Sequence, residues 1–592
     1  MDNASLARTL SEVADMLEIE GANPFRIRAY RNAVRTIETQ TTPLCKWVAD
    51  DKPLTDLQGI GKEMASHIAE MCETGQLTQR EDLAERIPAG LIDVMRLPGV
   101  GPKKAAKLFE ELGIGTVDEL EEAAQAEKVR ELAGFGAKSE AKILQGIEDF
   151  RHHTARVRLD HADRHIQPLL EYLRDGGEAK TVEVAGSYRR RRETVGDVDL
   201  LAIVENPEAG TTLMQRFLDY PQVAEVQMAG DTRGSVRFGS GLQVDLRILP
   251  PESYGAALVY FTGSKEHNVR LRQRGVEAGL RISEYGVFKS DGEEADGDEA
   301  DDPTAGERVG GADEAEVYAA VGLPWILPEL REDRGEITAA AKDELPELIT
   351  LDDLRGDLQM HSTWSDGKTS IEEMLVACAE RGYEYFALTD HSKALAMTGG
   401  LDAERVRQQW EEIDEVQARH PEIRLLKSLE VDILADGSLD LEDELLEKMD
   451  VVLVSVHSRM SLPADQQTER ILTALAHPEV DILAHPTGRR LGHRKAMDFD
   501  VDAVLEACAE HGVAVELNAN PERLDLKDSH LMRARELGIP VVISTDAHNP
   551  RSLGLMRYGI EQARRAWLRP ADVLNTLPLD EFLTAIGHPE AG

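Results

Sequence analysis

The chain has 592 residues, with 110 Asp and Glu against 67 Lys and Arg, a formal net charge of −43 and a pI near 4.8. That length predicts about three to five domains, each with its own core. The charge excludes a nucleic-acid footprint made of an overall basic surface, so local basic patches must decide the partners.

A surplus of acid spread over every segment is expected of a protein from a salt-loaded cytoplasm; the alternative is an acidic protein that binds basic partners. Four cysteines, Cys45, Cys72, Cys378 and Cys508, lie far apart with no C-x-x-C pair. They predict a reducing compartment and neither a disulfide nor a zinc-ribbon scaffold. No basic-then-apolar start and no apolar run of membrane length is present, so the expectation is a cytoplasmic protein without a membrane partner.

Residues 1 to about 150 read as helices throughout. Leu6, Leu10, Val13, Ala14 and Leu17 recur at helical spacing. A weak repeat then appears three times: Leu57-Gln-Gly59-Ile-Gly61-Lys62, Leu97-Pro-Gly99-Val-Gly101-Pro-Lys103 and Leu132-Ala-Gly134-Phe-Gly136-Ala-Lys138. Two glycines make a tight hairpin whose amides, at the start of the next helix, point at a phosphate. One Gly-x-Gly is commonly a helix cap, but three copies with Leu before and Lys after predict helix-hairpin-helix binding to DNA backbone, in domains 1–85 and 86–150. Such contacts position DNA without selecting sequence.

Next comes Gly186-Ser187-Tyr-Arg-Arg190-Arg-Arg-Glu-Thr-Val-Gly196-Asp197-Val-Asp199, between β-rich runs at 182–185 and 198–204. Side chains two apart on a strand share a face, so Asp197 and Asp199 point the same way. Asp245 lies in a second strand whose hairpin partner, 235–238, turns through Gly239-Ser240-Gly241. Three convergent carboxylates hold two divalent metals bridged by a nucleoside triphosphate, while Ser187 and Arg190 donate to phosphate. An Asp-x-Asp pair alone is common on acidic surfaces; with Gly-Ser before it, residues 151–255 read as an α/β nucleotidyltransferase palm.

Residues 256–332 carry an acidic run at 291–302, expected to be a solvated loop, and 333–350 read as a polar linker. From Asp357 strands alternate with helices: strands near Leu358 and at 385–388, 423–434, 451–456, 480–484, 513–517 and 541–543, with helical runs such as 370–381 and 502–510. Nearly every strand ends in a polar residue: Gln359, His361 and Asp366; Asp390 and His391; Glu430 and Asp432; His457; His485; Glu516; Asp546 and His548. In a β/α barrel those ends converge on one face, and imidazole mixed with carboxylate suits Mn²⁺, Zn²⁺ or Fe²⁺. Residues 351–585 therefore read as a β/α barrel with a multi-metal hydrolytic centre.

Together these motifs resemble the family X DNA polymerases, in the prokaryotic form with a C-terminal polymerase and histidinol phosphatase (PHP) domain, over nearly the whole chain. The resemblance implies a multidomain fold: an all-α N-terminal region, the palm, a nucleotide-selecting subdomain at 256–332 and a distorted β/α PHP barrel of about seven strands. It implies Asp197, Asp199 and Asp245 as catalytic ligands of Mg²⁺ or Mn²⁺, triphosphate contacts at Ser187, Arg190 and Gly196, and a nucleotide-sugar motif at Tyr260-Phe261-Thr-Gly263-Ser264 with Asn268. Arg247 would orient Asp245 and Arg272 would reach the template. Two or three PHP ions would sit on His361, Asp366, His391, Glu430, His457, His485, Asp546 and His548.

Two departures follow. The family's lyase lysine corresponds to His67, and an imidazole forms no Schiff base, which puts lyase chemistry in question and leaves Lys62 as the substitute amine. The usual His-x-His opens here as Gln359-Met-His361, and an amide oxygen holds metal less tightly than imidazole.

The implied protein is a monomeric polymerase that fills short gaps in primer-template DNA with deoxynucleoside triphosphates. Its PHP half would supply a 3′-to-5′ exonuclease, with abasic-site cleavage or 3′-phosphatase as further activities. The competing classes are a nucleotidyltransferase for RNA or a small molecule fused to a histidinol-phosphatase-like esterase, a pure phosphatase, and a non-catalytic DNA scaffold.

Overall fold

The computed structural model describes residues 3–587 apart from 41–43, 51, 58, 85, 89, 96, 98, 133, 154–155, 290–303 and 305. The acidic run 291–302 therefore lies outside the described residues. The chain divides into two compact units, Met1–Arg156 and Val157–Gly592.

The first unit is entirely helical among its described residues. Leu6, Leu10, Val13, Ala14 and Leu17 form the buried stripe of the first helix, Asn3–Glu20, as their spacing requires. Each hairpin has one design. Its first glycine takes a left-handed backbone, with φ of 97° at Gly59, 83° at Gly99 and 91° at Gly134. The residue between the glycines, Ile60, Val100 or Phe135, is buried, and the glycines stay exposed at the start of Lys62–Thr74, Pro102–Leu112 and Ala137–His153.

One expectation fails in this unit. Cys45 and Cys72 are joined as a disulfide, with 5.2 Å between their Cα atoms. They lie on Leu44–Ala49 and Lys62–Thr74, two helices that pack together, so 27 residues of sequence separation vanish in space. Cys378 and Cys508 are free and buried.

The second unit opens on a five-stranded sheet: β1 (Ala179–Val184), β2 (Asp197–Val204), β3 (Val223–Ala229), β4 (Arg233–Phe238) and β5 (Gln243–Leu249), in the order β1-β2-β5-β4-β3. Only β2 and β5 pair in parallel, and their register sets Asp199 opposite Asp245. The helix Leu159–Asp175 covers this sheet with Leu159, Ala162, Ile166, Leu169, Leu170 and Leu173.

The C-terminal part is a nearly closed barrel of seven parallel strands in sequence order: β6 (Gly356–Asp357), β7 (Tyr385–Leu388), β8 (Arg424–Asp432), β9 (Val451–Ser455), β10 (Ile482–Leu483), β11 (Ala514–Asn518) and β12 (Val541–Ser544). A parallel bridge between Met360 and Ala547 links the two ends. Strands such as Val451–Ser455 are buried at every residue, which is why they read as continuous apolar runs. The first strand ends at Asp357, one residue before the expected Leu358.

Segment 333–350, read as a linker, is packed. Glu336 is fully buried with its Oε1 2.6 Å from His267 Nδ1, and Ala340, Leu348 and Ile349 are buried. Buried polar pairs look like surface in a sequence, so composition misleads here.

Arginines join barrel, palm and 256–332 into one body. Arg565, 3% exposed, donates to Glu332 at 2.9 Å, to the Arg190 carbonyl at 2.7 Å and to Asp528 at 2.7 Å. Arg557 meets Asp163 at 3.0 Å, Arg191 meets Glu561 at 2.6 Å and Arg564 meets Glu329 at 2.8 Å. Burial pushes the Glu332 carboxyl up, but Arg565 and Arg190 outweigh it and leave it at about 2.

Removing Arg565 takes one of two guanidinium partners from each of two half-buried carboxylates, Glu332 keeping Arg190 at 3.1 Å and Asp528 keeping Arg334 at 3.0 Å, so Arg565→Ala should cost about 2–3 kcal/mol in urea unfolding of the full chain, with Arg565→Lys intermediate. Because the folded pKa of Glu332 is depressed, its stabilisation is complete above the unfolded value near 4.5 and is lost as pH falls toward 2. Thermal melts should accordingly show a steeper acid loss for wild type than for Glu332→Gln.

Candidate metal centres

The palm centre is built by β2, β5 and a glycine turn. Gly186, at φ 66°, starts the short helix Gly186–Arg189, and a Cβ there would lie 3.3 Å from Asp199 Oδ2. The Asp199 carboxylate thus rests against the Gly-Ser turn, with Ser187 in that helix's first turn and Gly196 immediately before β2. Gln243 donates to Asp245 Oδ1 at 3.2 Å and leaves the other oxygen open. Burial, then repulsion from Asp197 and Asp245, pushes Asp199 up to about 7, against the pull of Arg247 and Arg233. A carboxylate crowded by two others calls for a cation, and the donor set fits Mg²⁺ or Mn²⁺.

The remaining residues expected to meet the nucleotide gather at the turn after helix Tyr254–Thr262. Tyr260, Asn268 and Arg272 line one small pocket with Ile282 and Ser283. The Tyr260 and Phe261 rings meet edge to face at 5.1 Å, and the Arg247 guanidinium lies 4.3 Å over Phe261, so Arg247 is held by an aromatic face. Asn268 donates to the Tyr260 carbonyl at 2.7 Å, and its Oδ1 is buried without a partner.

Arg190 is 8% exposed beneath this turn. Its Nη1 donates to the Thr262 carbonyl at 2.5 Å and its Nε to Glu332 at 3.1 Å, while Arg189 reaches Thr262 Oγ1 at 2.8 Å. A Cβ at Gly263 would sit 3.1 Å from Arg190 Nη1, so this close approach requires glycine.

The barrel centre collects all eight expected ligands at the C-terminal strand ends. Glu430 is the hub: His485 Nε2 lies 2.8 Å and His457 Nε2 3.2 Å from its Oε1, and His391 Nδ1 3.3 Å and His361 Nε2 3.5 Å from its Oε2. Asp546 Oδ1 is 3.2 Å from His361, and Asp366 stands 3.6 Å from His391 and 3.4 Å from His548. Two clusters have converging ligand atoms: His361, Asp366, His391 and His548, and His391, Glu430 and His457.

These residues fit metal. Neither ring nitrogen of buried His361 has an aligned hydrogen-bond partner, nor do Nδ1 of His391 and Nδ1 of His485. His485 and Asp546 have left-handed backbones, with φ of 28° and 53°, a strain that non-glycine residues carry at functional sites.

Gln359 is fully buried, its Oε1 accepts from Asn518 at 3.4 Å and its Nε2 has no partner. The other strand-end acids turn elsewhere. Asp390 accepts from Ser362, Ser365 and Gln409, Asp432 lies 3.2 Å from His457 Nδ1 and orients that ring, and Glu516 accepts the His485 amide at 2.7 Å. Burial, then Asp546, pushes Glu516 well up, which suits a neutral acid.

Arg523, 3.3 Å from Asp546 Oδ2, joins the cluster without a sequence signature. A lone arginine five residues past a strand end has no ligand signature. In the helical unit, His67 Nδ1 lies 3.1 Å from the Tyr30 hydroxyl, and Lys62 is exposed at the first hairpin.

Comparison with known proteins adds four family models. These are described as a helix-hairpin-helix domain over residues 1–77, a SAM-like helix-hairpin-helix tandem over 91–149, the DNA polymerase beta thumb over 257–332 and the PHP domain over 357–520. Over 583 residues, 98% of each chain, the sequence is 41% identical to a Bacillus subtilis (strain 168) protein described as DNA polymerase/3′-5′ exonuclease PolX. A probable phosphatase of Shewanella sp. (strain ANA-3) is 29% identical over 233 residues, 37% of this chain and 87% of that protein. Another, from Edwardsiella ictaluri (strain 93-146), is 30% identical over 247 residues, 39% and 95% of the two chains.

Between the unfolded value of 3.8 and about 7, the metal-free palm binds a proton at Asp199 that the unfolded chain has lost, so stability falls as pH rises through that window. In EDTA the Tm should drop from pH 4.5 to 7 and Asp199→Asn should flatten the drop; a wild-type profile identical to the variant's would contradict this. At the barrel, Gln359→His should raise the tightly bound Mn²⁺ or Zn²⁺ per chain, as counted by elemental analysis after dialysis.

Proposed function

The chain belongs to the family X DNA polymerases that carry a C-terminal PHP domain, and we propose that it fills short gaps in damaged DNA and trims 3′ ends at the barrel. It is a DNA-directed DNA polymerase with a 3′-5′ exonuclease and depends on divalent metal. The observation that carries the reading is the pairing register of Asp199 with Asp245 beside the Gly186 turn.

In this reading Asp197, Asp199 and Asp245 hold two Mg²⁺ or Mn²⁺ ions, and His361, Asp366, His391, Glu430, His457, His485, Asp546 and His548 hold two or three Mn²⁺, Zn²⁺ or Fe²⁺ ions, with Gln359 the weakest donor. Bound divalent cations lower the pKa of a hydroxyl or water and neutralise phosphate charge. Asp245, one oxygen occupied by Gln243, offers the other to the proton of the primer 3′-hydroxyl.

Ser187 and the amides of the Gly186 turn contact the triphosphate, and Gly196 leaves room for it. Tyr260 and Phe261 pack on the sugar, and Arg190 acts by holding Thr262 and Gly263 in position. Arg272 reaches toward the template. Gly59, Gly61, Lys62, Gly99, Gly101, Lys103, Gly134 and Gly136 grip duplex backbone through amides, a contact less dependent on salt than a basic groove and suited to a salt-loaded cytoplasm. The probable phosphatases that match the barrel favour phosphomonoesters, including a 3′-phosphate, as a second substrate class.

The test is a one-nucleotide-gapped duplex with labelled primer and Mn²⁺. With deoxynucleotides the primer lengthens, and without them it shortens. Asp199→Ala should abolish lengthening alone and His391→Ala shortening alone. Loss of both activities in either variant would contradict two separate centres.

A further inference from the structure

Residues 488–495 read Gly-Arg-Arg-Leu-Gly-His-Arg-Lys, a basic stretch without one acid in a chain where acids outnumber bases. It begins three residues after His485. Backbone bonds of 2.8 Å in both directions between Arg490 and Arg494 fold it into a tight hairpin.

The rear of this hairpin is anchored. Arg489 reaches Glu193 at 2.7 Å and the Leu524 carbonyl, and the Leu491 amide donates to the Glu522 carbonyl at 2.6 Å. Arg490 pairs with Glu522, which also holds Arg158 at 3.0 Å. The front is not anchored. His493, Arg494 and Lys495 are exposed, and no carboxylate among the described residues pairs with them. Arg494 makes one side-chain bond, to the Gly488 carbonyl at 2.9 Å, and its charge lies within reach of Arg523 and Arg490, which repel it, and of the Asp525 carboxylate, which only partly offsets them.

Arg523 closes the row at the metal centre. It sits 3.3 Å from Asp546 Oδ2, while Oδ1 of the same carboxylate faces His361 at 3.2 Å. Cations therefore run from the rim of the barrel centre outward along one edge. Arg494 and Lys495, exposed and without a paired carboxylate, are the unneutralised members of this row, and cations so placed call for an anion from solution. One phosphate at the metal centre would occupy Arg523 alone; Arg494 and Lys495 match further phosphates of a polymer. The hairpin is eight residues long and the ligands are almost all buried, which suits one strand rather than a duplex.

We propose that the hairpin 488–495, continued by Arg523, is a backbone track for a single DNA strand whose 3′ end lies in the barrel centre, the phosphates 5′ of the scissile bond resting on Arg494 and Lys495. The proposal rests on the exonuclease reading above. The track leans on Glu193, four residues before Asp197, so its far end abuts the segment that carries the palm carboxylates.

The experiment compares the full chain with its Arg494→Gln/Lys495→Gln variant, both loaded with Mn²⁺. Degradation of a 5′-labelled oligothymidylate is followed against KCl, alongside hydrolysis of bis(p-nitrophenyl) phosphate. The expected result is a KM for the oligonucleotide raised about tenfold at 0.1 M KCl, a salt slope of log KM lower by about one, and ester hydrolysis within about twofold of wild type. Unchanged oligonucleotide KM and salt slope would overturn the track, as would an equal loss on both substrates, which would mean damage to the metal centre. A wild-type chain that hydrolyses the ester but leaves the oligonucleotide intact would instead sink the exonuclease reading and the track with it.

Discussion

One buried guanidinium sets the geometry of the catalytic unit. Arg565, on the barrel helix Met556–Arg565, binds Glu332, Asp528 and the Arg190 carbonyl at once. Glu332 in turn receives Arg190, and Arg190 holds the Thr262 carbonyl beside Gly263. A charge that far from water is tolerated only with its full set of partners, so barrel and palm cannot shift independently without exposing or stranding one of them. The PHP domain is in this sense part of the floor under the Thr262–Gly263 turn.

The same chemistry recurs across the rest of the body. Asp163 accepts from the Tyr188 and Tyr558 hydroxyls and from Arg557, and Leu524 and Tyr558 of the barrel pack into the palm core. In a chain of net charge −43, arginine is the scarcer partner, and the structure concentrates it where acids are buried. The 488–495 hairpin departs from this pattern, because its front carries exposed cations and its own sequence holds no acid.

How much of this was legible in the sequence depended on whether the signal was periodic. Asp197 and Asp199 share a face because strands repeat every two residues, and Asp245 was found through the glycine turn of its hairpin. The convergence in the barrel is legible because parallel strands end on one side, so eight residues scattered over almost two hundred positions come together in one cluster. Contacts between elements left no periodic trace. Cys45 met Cys72 through helix packing, Glu336 was buried against His267 inside a stretch that looked like a tether, and Arg523 reached Asp546 from a loop. Asp390, Asp432 and Glu516 had the ligand signature of position and residue type, yet turned to amides, hydroxyls and a second histidine ring.

The two centres solve opposite problems with the same residue types. In the palm, burial and then repulsion from Asp197 and Asp245 push Asp199 up to about 7, so the cluster calls for a cation to balance it. In the barrel, histidines already face Glu430 and Asp546, and strained backbones at His485 and Asp546 hold donors in position before any ion binds. On the function proposed above, a carboxylate cluster that is balanced only by its cations ties the palm to a nucleotide that arrives with metal. A preformed site suits hydrolysis of any 3′ end that reaches it, and leaves discrimination to the path by which the strand arrives.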